Sequence, residues 1–572
     1  MTLRVTAPAA AQVRRRPLGD SAALPAGLHP VLRRVYAARG VGQPSELDLG
    51  LSGLLPPQTL RGIERAAELL AGAIARQLRI VIAADYDADG ATACAVAVLG
   101  LRALGAAQVG YVVPNRFTMG YGLSPPLVEL ARARGAQLLV TVDNGIASVA
   151  GVAAAQAAGI QVLVTDHHLA GRELPAADAI VNPNQPGCGF QSKHLAGVGV
   201  MFYVLTALRA RLRAQGAGNG PNLAELLDLV ALGTVADVVK LDHNNRILVA
   251  QGIARIRTGR TRPGVLALLE AAGRAREFAS AADLGFVLGP RLNAAGRLDD
   301  MRAGIECLLA ETAEAARPLA KALDAMNRQR REIETQMRDD AVAMADGSDA
   351  VGVCLFDPDW HEGVVGLVAA RIKDRLHRPA IAFARAAEAG MLKGSGRSIG
   401  GLHLRDVLAA IDVGQPGLIA RFGGHAMAAG MTLPEAGLPQ FEAAFDRHCR
   451  LLLDASALEQ WIETDGELNA AELKLETALA LDRAGPWGQG FPEPRFEGSF
   501  EVLEMRPIGA DGRHVKYRLR VPGGGVVEAP DFNGAGRAVP AGSRAALVYR
   551  LGINRFRGTE ALELHIENLQ PA

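Results

Sequence analysis

The residues of this chain with the clearest chemical potential lie in one short stretch, Val81–Gly90, which reads VIAADYDADG. An apolar run ends there in three aspartates, Asp85, Asp87 and Asp89. Because alternate residues of an extended chain share a face, their carboxylates can converge. Burial and mutual repulsion would raise their pKa values, and a divalent cation would remove that conflict. On its own, the stretch is equally compatible with a metal site and with a solvated acidic turn at a strand end.

Three further motifs with acids or histidines follow apolar segments. They are Asp143-Asn144-Gly145, Asp166-His167-His168, and Asp237 after the apolar run Leu227–Val235. Carboxylate oxygens with one imidazole suit Mn²⁺ or Mg²⁺ better than Zn²⁺. A carboxylate such as Asp143 could bridge two ions, and two ions ~4 Å apart can clamp the attacking and leaving oxygens of a phosphoryl displacement. The simpler alternative for a histidine at a strand end is a hydrogen-bonded surface residue. For Asp237, the simpler alternative is an N-cap of the following turn.

An alternation of apolar strands and helical segments must position these groups. Helices are predicted at Ala91–Gly105, Pro126–Gly135 and Ala147–Gly159, and strands lie between them at Arg79–Ala84, Leu138–Val142, Val162–Thr165 and Ala179–Val181. This order predicts an α/β domain with a parallel sheet covered by helices on both faces. Ligands of such sheets bind beyond the carboxyl ends of the strands. Every motif above is expected at that edge, with Leu227–Val235 as one more strand.

In order, the motifs DYDADG, VDNG, DHH and the lone aspartate of VALGTVADVV resemble the DHH phosphoesterase superfamily. The resemblance is strongest to its single-strand-specific exonucleases. It runs from about residue 60 to residue 572 through the segments PNRFTMGYGL, LAGVGV, GPRLNAAGRL, WHEGVVGLVAAR, KGSGRS and GGHAMAAG.

The resemblance implies roles for individual residues. His168 would lie next to the scissile phosphate as an acid or an oxyanion partner, and Asp85 would be a ligand or support one. Many relatives have a histidine where this chain has Ala83, which implies that one ion has either fewer ligands here or a ligand set completed by water. The implied metal ligands are Asp87, Asp89, Asp143, His167 and Asp237.

A second set of residues is expected to contact nucleic acid. Gly289–Arg297 and Lys393–Ser398 are predicted loops in which small residues let a phosphate approach and arginine can grip it bidentately. Gly-bounded turns with exposed side chains are the simpler alternative. The run Ile253–Pro263 carries four arginines and no acid, and is either a solvated face or a contact to the strand backbone. The implied nucleic-acid contacts are Arg116, Arg291, Asn293, Arg297, Ser395, Arg397 and His425.

The chain of 572 residues is long enough for several domains. An all-round polar helical pattern after Glu311 is typical of a helix that bridges domains. Five short strands in the last 70 or so residues suit an OB-type β-barrel that binds single strands, although a purely structural barrel is a fair rival. Its candidate base-stacking rings are Tyr517, Phe532, Tyr549 and Phe556. The predicted order is an N-terminal tail (1–56), a DHH catalytic domain (57–310), a long linker helix (311–345), a second, smaller α/β DHH-associated domain that binds substrate (346–452) and the barrel (453–572).

Composition narrows the function classes. The net charge of +1 predicts no general affinity for polyanions, so contact with nucleic acid must come from local patches. Five scattered cysteines without a C-x-x-C pair argue against structural zinc and disulfides and fit a reducing cytoplasm. The chain contains no apolar run of ~18 residues, so no membrane span is predicted.

The resemblance implies a Mn²⁺- or Mg²⁺-dependent exonuclease with two ions that degrades single-stranded DNA from 5′ to 3′ into 5′-mononucleotides in DNA repair and recombination. Single-stranded DNA is the implied partner, and a single-strand-binding protein and a helicase are candidate partners. One alternative is a phosphoesterase of short oligonucleotides or cyclic dinucleotides. Another is a non-catalytic strand-binding protein, against which the complete carboxylate set argues.

Overall fold

A parallel five-stranded sheet organises the first domain. The computed structural model describes residues 12–116, 119–346, 348–509, 512–521, 523–555 and 558–572. The spatial order of the strands is β3-β2-β4-β5-β6, all parallel. Four of them were predicted, and their continuous burial explains why they read as unbroken apolar runs. The strands are β2 (Ile80–Ala84), β3 (Val109–Val112), β4 (Leu138–Val142), β5 (Gln161–Thr165) and β6 (Ala179–Val181).

Helices cover both faces of this sheet. Short apolar side chains dominate the helix that follows β2, so that helix is buried nearly all round. One π-helical segment, Leu284–Leu288, runs directly into the helix after it. The helices are α2 (Ile63–Ala75), α3 (Ala88–Ala103), α4 (Pro125–Ala133), α5 (Val149–Ala157), α6 (Gly197–Ala214), α7 (Leu227–Ala236), α8 (His243–Arg257), α9 (Pro263–Ala271), α10 (Ala281–Asp283), α11 (Gly289–Leu298) and α12 (Arg302–Leu309).

The predicted linker helix is present as α13 (Ala313–Ala345) and leads to a second α/β domain. Its sheet has the order β10-β11-β9-β8-β7. Phe383, Phe441 and Phe445 are fully buried in its core. The elements are β7 (Val353–Phe356), α14 (Val365–Leu376), β8 (Ala380–Arg385), β9 (Met391–Arg397), α15 (Leu404–Gly414), β10 (Arg421–Gly424), β11 (Ala428–Pro434) and α16 (Leu438–Leu452).

The C-terminal region contains the expected five-stranded barrel, closed in the order β13-β14-β15-β17-β16. Two of the four candidate stacking rings, Tyr517 and Tyr549, are fully buried in the barrel core and cannot reach a base. Phe532 is 57% exposed, and Phe556 lies outside the described residues. The elements are β12 (Trp461–Thr464), α17 (Leu475–Ala484), β13 (Phe496–Ile508), β14 (His514–Arg520), β15 (Val526–Asp531), β16 (Arg544–Asn554) and β17 (Ala561–Pro571).

The N-terminal segment was predicted as a loosely ordered tail with one short helix near Pro30–Arg39. The helix is confirmed, but the loose order is wrong from Gln12 onward. Strand β1 (Gln12–Arg15) pairs in parallel with β12, and helix α1 (Pro30–Ala37) packs against the C-terminal region. Arg39 forms a buried ion pair with Asp465 at 2.7 Å, and the Tyr36 hydroxyl donates to the Ala484 carbonyl. The partners that hold this segment lie more than 400 residues away, so local periodicity could predict the helix but not its packing.

Two predicted loops are regular elements instead. Gly289–Arg297 lies within helix α11, and Lys393–Ser398 lies mostly on strand β9. The glycine-rich segment Gly423–Gly430 forms the hairpin of β10 and β11. A glycine considered by itself predicts a turn. In these segments, glycine instead occupies positions where the packing leaves no room for a side chain. A Cβ at Gly394, for example, would lie 2.3 Å from the Phe383 ring.

Among the described residues, no helix has the length and apolar character to cross a membrane.

Candidate metal and phosphate site

Three neighbouring strands bring their polar ends together at one edge of the parallel sheet. β2 is followed by Asp85, β4 by Asp143 and β5 by Asp166-His167-His168. The remaining acid, Asp237, was expected at a strand end, and this is wrong. Leu227–Ala236 is helix α7, and Asp237 is its C-cap. Since α7 packs along α3, its last residue still reaches the same edge.

The side chains converge on two groups of ligand atoms that share neighbours. His167 Nε2 lies 3.1 Å from Asp143 Oδ1, 3.5 Å from Asp237 Oδ2 and 4.0 Å from Asp89 Oδ2. Within one group of donor atoms, all distances are at most 4.8 Å. The groups are Asp89, His167 and Asp237 on one side and Asp85, Asp87 and Asp143 on the other, while Asp143 also groups with both histidines.

Asp143 occupies the central position through an unusual backbone conformation. Its φ is +62°, in the left-handed region that side chains other than glycine rarely adopt. The Asn144 amide supports the turn by donating to the carbonyls of Ala83 and Val142. Gly197 lies directly against it, and a Cβ there would approach the Asp143 Cβ to 2.5 Å. This close approach explains why the first glycine of the LAGVGV segment stands at position 197.

Asp89 is held by the N-terminus of helix α6. Its two carboxylate oxygens accept hydrogen bonds from the Gly197 and Val198 N–H groups at 2.6 and 2.9 Å. The helix dipole favours a negative charge at this position. Gly233 of α7 completes the packing, since a Cβ there would lie 2.9 Å from Asp89 Oδ1.

The two histidines differ in charge because of Asp166. Burial opposes protonation of His168, but the hydrogen bond from its Nδ1 to Asp166 (2.8 Å) and the charge of Asp166 outweigh burial and raise the pKa of His168 to about 9. Burial, with the charge on His168 next to it, lowers the pKa of His167 to about 3. His167 is therefore a neutral imidazole at physiological pH, as a metal ligand must be.

The carboxylates carry an electrostatic conflict. Burial first, and then the charge of Asp87, raise the pKa of Asp89 to about 7. Burial and the charges of neighbouring aspartates also raise the pKa values of Asp85, Asp143 and Asp237 well above their ordinary range. Asp85 Oδ1, Asp143 Oδ1 and His167 Nε2 are also buried without a hydrogen-bond partner in the described structure. Hard oxygen donors, one neutral imidazole and unmet acceptors fit divalent cations such as Mn²⁺ or Mg²⁺. Ala83 offers no ligand atom, so one group is all carboxylate.

Replacing Asp143 by asparagine is expected to stabilise the protein in the presence of a chelator. The change removes one buried charge and keeps the shape of the side chain. An aspartate whose pKa is raised by folding loses stability as pH rises from its unfolded pKa of about 4 toward the folded value. The advantage of Asp143→Asn should thus be absent below about pH 4 and grow as the pH rises above it, and each kcal/mol gives roughly 2–4 °C in Tm.

Thermal unfolding in chelator and in Mn²⁺ at several pH values measures this effect. Mn²⁺ should raise the Tm of the wild type more than that of the variant. The control is Asp339→Asn, because Asp339 is exposed on α13 and pairs only with Arg338 among the described residues. A variant less stable than wild type at pH 8 in chelator would contradict the repulsion described here.

Three arginines form a cationic cluster beside Asp87. Burial, together with the charges of Arg116 and Arg397, lowers the pKa of Arg297 to about 9. Burial and the charge of Arg116 also lower the pKa of Arg397. Arg397 donates to Ser395 Oγ and to the Gly396 carbonyl, and Gly366 of α14 allows the close fit, since a Cβ there would lie 3.1 Å from Arg397 Nη2. All three arginines are half-buried, and half-buried cations that repel one another favour a bound anion.

The remaining predicted contact residues are placed differently. His425, at the hairpin of the second domain, stacks on His168 with ring centroids 6.0 Å apart. The Asn293 side chain accepts from the Ala88 N–H and so supports the first turn of α3. Arg291 does not join the cluster. It is buried, pairs with Asp324 at 2.8 Å and donates to the Val287 carbonyl, so its contacts are structural.

The arginine run Ile253–Pro263 is partly structural as well. Arg257 donates to the Ala279 carbonyl, and Arg262 donates to the carbonyls that end α12. These two side chains connect neighbouring helices. They are therefore neither part of a solvated face nor contacts to a nucleic-acid backbone, the two roles expected for this run.

Two contributors to the site were missed by sequence reasoning. Asp166 accepts the N–H groups of Ile146, His167 and His168 as well as the His168 ring. The Tyr121 hydroxyl lies 3.2 Å from His168 Nδ1 and donates to the Asp143 carbonyl. Both residues lie in segments that carry the resemblance, Asp166 in the motif DHH and Tyr121 in PNRFTMGYGL, but neither was assigned a role.

Three family models match the chain in succession. They are the DHH family, N-terminal domain, over residues 79–234, the DHHA1 domain over 348–451 and the RecJ OB domain over 464–568. They fall on the parallel-sheet domain, the second α/β domain and the barrel, which confirms the predicted fold class.

Relatives match along almost the whole chain. The single-stranded-DNA-specific exonuclease RecJ of Escherichia coli (strain K12) is 51% identical over 574 residues, covering 98% of this chain and 99% of that protein. The Haemophilus influenzae protein of the same name is 50% identical over 573 residues, with the same coverage. The crystal structure of RecJ in complex with Mn²⁺ from Thermus thermophilus superposes with a TM-score of 0.82 at 32% identity, over 98% of this chain and 79% of that one. This chain therefore belongs to the RecJ family.

Proposed function

We propose that this protein is a metal-dependent exonuclease that degrades single-stranded DNA from the 5′ end into 5′-mononucleotides, in DNA repair and recombination. One observation carries the proposal. A carboxylate–histidine centre and a cluster of three arginines lie side by side where the two α/β domains meet. The first suits phosphodiester hydrolysis, and the second suits a terminal phosphate. The relatives named above are single-stranded-DNA-specific exonucleases, which supports this function.

We assign the metal ligands to the two groups of donor atoms. Asp89, His167 and Asp237 would hold one Mn²⁺ or Mg²⁺, Asp85 and Asp87 a second, and Asp143 would bridge them. The T. thermophilus relatives are described in complex with Mn²⁺ and with Mg²⁺. When bound, such ions polarise a phosphoryl oxygen and help to generate and align the nucleophile.

The remaining chemistry falls to side chains of this chain. His168 is cationic near neutral pH, and Asp166 fixes its Nδ1. Its ring can donate a hydrogen bond to an oxygen of the scissile phosphate and stabilise the charge that grows there. His425, stacked on His168 from the second domain, limits the freedom of that ring.

The arginine cluster would read the end of the strand. A terminal phosphate is a dianion, and it gains more from several guanidinium groups than an internal phosphodiester does. Arg116, Arg297 and Arg397, with the Ser395 hydroxyl, would bind it beside Asp87. Binding the end there would place the first internucleotide linkage over the carboxylates.

Arg397→Ala is expected to lower kcat/KM on 5′-phosphorylated strands by on the order of tenfold to a hundredfold, about 1.4–2.7 kcal/mol. The loss on 5′-hydroxyl strands should be much smaller, because the extra charge of the dianion is missing there. The measurement is kcat/KM on both strand types for wild type and variant.

Arg385→Ala is the matched control, because Arg385 lies at the end of β8 in the same domain and faces Glu435. An equal loss on both strand types would show that Arg397 grips the strand generally and does not recognise its end. A dinucleotide in the same series tests the alternative function, since a small-substrate phosphoesterase would prefer it to a long strand.

The cellular setting also remains a proposal. All five cysteines are free thiols, which supports a reducing cytoplasm. A single-strand-binding protein and a helicase remain candidate partners, and pull-down with purified candidates would test each.

A further inference from the structure

A cavity in the wall of the first domain has no part in the function proposed so far. Its volume is about 450 Å³, within the range of about 300–1,000 Å³ that is typical of small-molecule sites. Leu99, Gly100 and Ala103 near the end of α3 line one part of it. Residues from the segments 221–226, before α7, and 259–263, between α8 and α9, line the rest.

Two helices run between this cavity and the metal centre. Helix α3 carries Asp89 in its first turn and reaches the cavity at Leu99, while α7 begins beside the cavity at Leu226 and ends at Asp237. The separation is ten residues on α3 and eleven on α7, so both helices give about 15 Å along their axes. The cavity therefore lies at the opposite ends of these helices, apart from the sheet edge that carries the candidate metal ligands.

Two arginines that line the cavity have no partner for their charge. Arg255 is half-buried and Arg260 is exposed, and across the described residues neither guanidinium has an ion pair or a hydrogen bond. The backbone brings them together, because the Arg260 N–H donates to the Arg255 carbonyl in the turn that ends α8. They are the two arginines of the run Ile253–Pro263 that remain when the helix contacts of Arg257 and Arg262 are accounted for.

The N-terminus of α9, which also borders the cavity, already has its own anion. Asp228 is buried and accepts hydrogen bonds from the Thr261 hydroxyl and the Arg262 N–H at 2.6 and 2.7 Å. This carboxylate therefore satisfies the start of the helix. The positive charge that the cavity offers to a ligand comes from the side chains of Arg255 and Arg260 instead.

One carboxylate and several apolar groups complete the lining of the cavity. Glu225 and Asn222 are exposed, whereas Leu223 and Leu226 of the same segment are buried. A carboxylate beside the guanidiniums repels a polyanion such as a nucleic-acid backbone or an acidic peptide. The combination suits a small ligand that has an anion at one end, a hydrogen-bond donor at the other and an apolar surface between them.

We propose that this cavity binds a nucleoside 5′-monophosphate. Arg255 and Arg260 would hold the phosphate dianion, which guanidinium groups grip bidentately. The base would lie on the apolar wall of the cavity and donate an amino hydrogen to Glu225. The source of the ligand rests on the proposed function, because 5′-mononucleotides are the products of that reaction.

Calorimetric titration of the full chain with dAMP in Mn²⁺ tests this site. The titration is made in an Arg397→Ala background, which weakens the other arginine cluster as a competing phosphate site. In that background Arg260→Ala should lower the affinity for dAMP about tenfold, the effect of losing a hydrogen bond between charged groups. Arg375→Ala is the matched control, because Arg375 is an exposed arginine at the end of α14 in the second domain. Unchanged affinity in the Arg260→Ala protein would overturn the proposal.

Two further variants test whether the cavity holds a nucleotide or an anion alone. Ala103→Phe adds a ring at an exposed position of the wall, so it should lower the affinity for dAMP while both arginines stay in place. Glu225→Ala should lower the affinity for dAMP and raise that for inorganic phosphate, because the carboxylate accepts from the base but repels a free anion. Equal affinities of the unmodified site for inorganic phosphate and dAMP would refute the nucleotide assignment.

Hydrolysis of single-stranded DNA by the wild type and by the single variant Arg260→Ala separates this inference from the exonuclease function. Binding of dAMP that depends on Arg260 supports the cavity even if the wild type cuts no strand. Binding that Arg260→Ala leaves unchanged refutes the cavity even if the wild type is an exonuclease. The Arg260→Ala protein should hydrolyse strands at the wild-type rate, which excludes a folding defect as the cause of its weaker binding.

Discussion

Asp143→Ala is expected to lower kcat on single-stranded DNA by on the order of a thousandfold or more, about 4 kcal/mol of transition-state stabilisation. Asp143 is the one carboxylate whose donor atoms group with both sets of candidate ligands. Its loss would weaken both ions together, whereas loss of Asp237 would leave the Asp85–Asp87 group intact. Strand binding should change little, since the arginines that would hold the end do not contact Asp143.

Hydrolysis under saturating Mn²⁺ and strand binding by fluorescence anisotropy measure the two effects separately. The Asp339→Ala protein serves as control, because this exposed aspartate lies on α13 away from the site. Near-normal hydrolysis by a folded Asp143→Ala protein would refute the bridging role. Parallel loss of binding and hydrolysis would show instead that the turn at Asp143 is needed for folding.

His168→Ala is expected to lower kcat by about 10²–10⁴, the range of a positioned group that transfers or donates a proton. His168 must keep its proton to act as a donor, and its pKa of about 9 sets the upper limit. Activity of the wild type should therefore fall as pH rises through that value. In Asp166→Asn the limit should move to lower pH, because the charge and the acceptor that raise the pKa are reduced.

The pH profile of kcat for these variants provides the measurement. His194→Ala is the matched control, since His194 is an exposed histidine of the same domain. A basic limb that persists unchanged in both His168→Ala and Asp166→Asn would show that another group titrates there.

The sequence by itself determined the sheet edge and most of the residues on it. The strands β2, β4 and β5 are buried along nearly their whole length, so each appears as an apolar run with a polar end. Parallel strands place those ends side by side, and this rule needs no knowledge of the rest of the fold. It was enough to predict a cation site with Asp85, Asp143 and His167. The barrel strands and the linker helix could also be predicted from the sequence, since both depend on local periodicity.

Only the tertiary structure decided which side chains of each helix and strand reach the metal and phosphate site. Arg291 and Arg297 lie on the same helix, yet only Arg297 joins the cationic cluster, because Asp324 on α13 binds Arg291. Asp237 reaches the metal site from a helix end, since Gly233 lets α7 pack closely on α3. The segment from Gln12 to Arg39 is ordered by β12 and Asp465, far away in the sequence. These outcomes depend on contacts between distant residues, whereas sequence patterns report only what neighbours along the chain prefer.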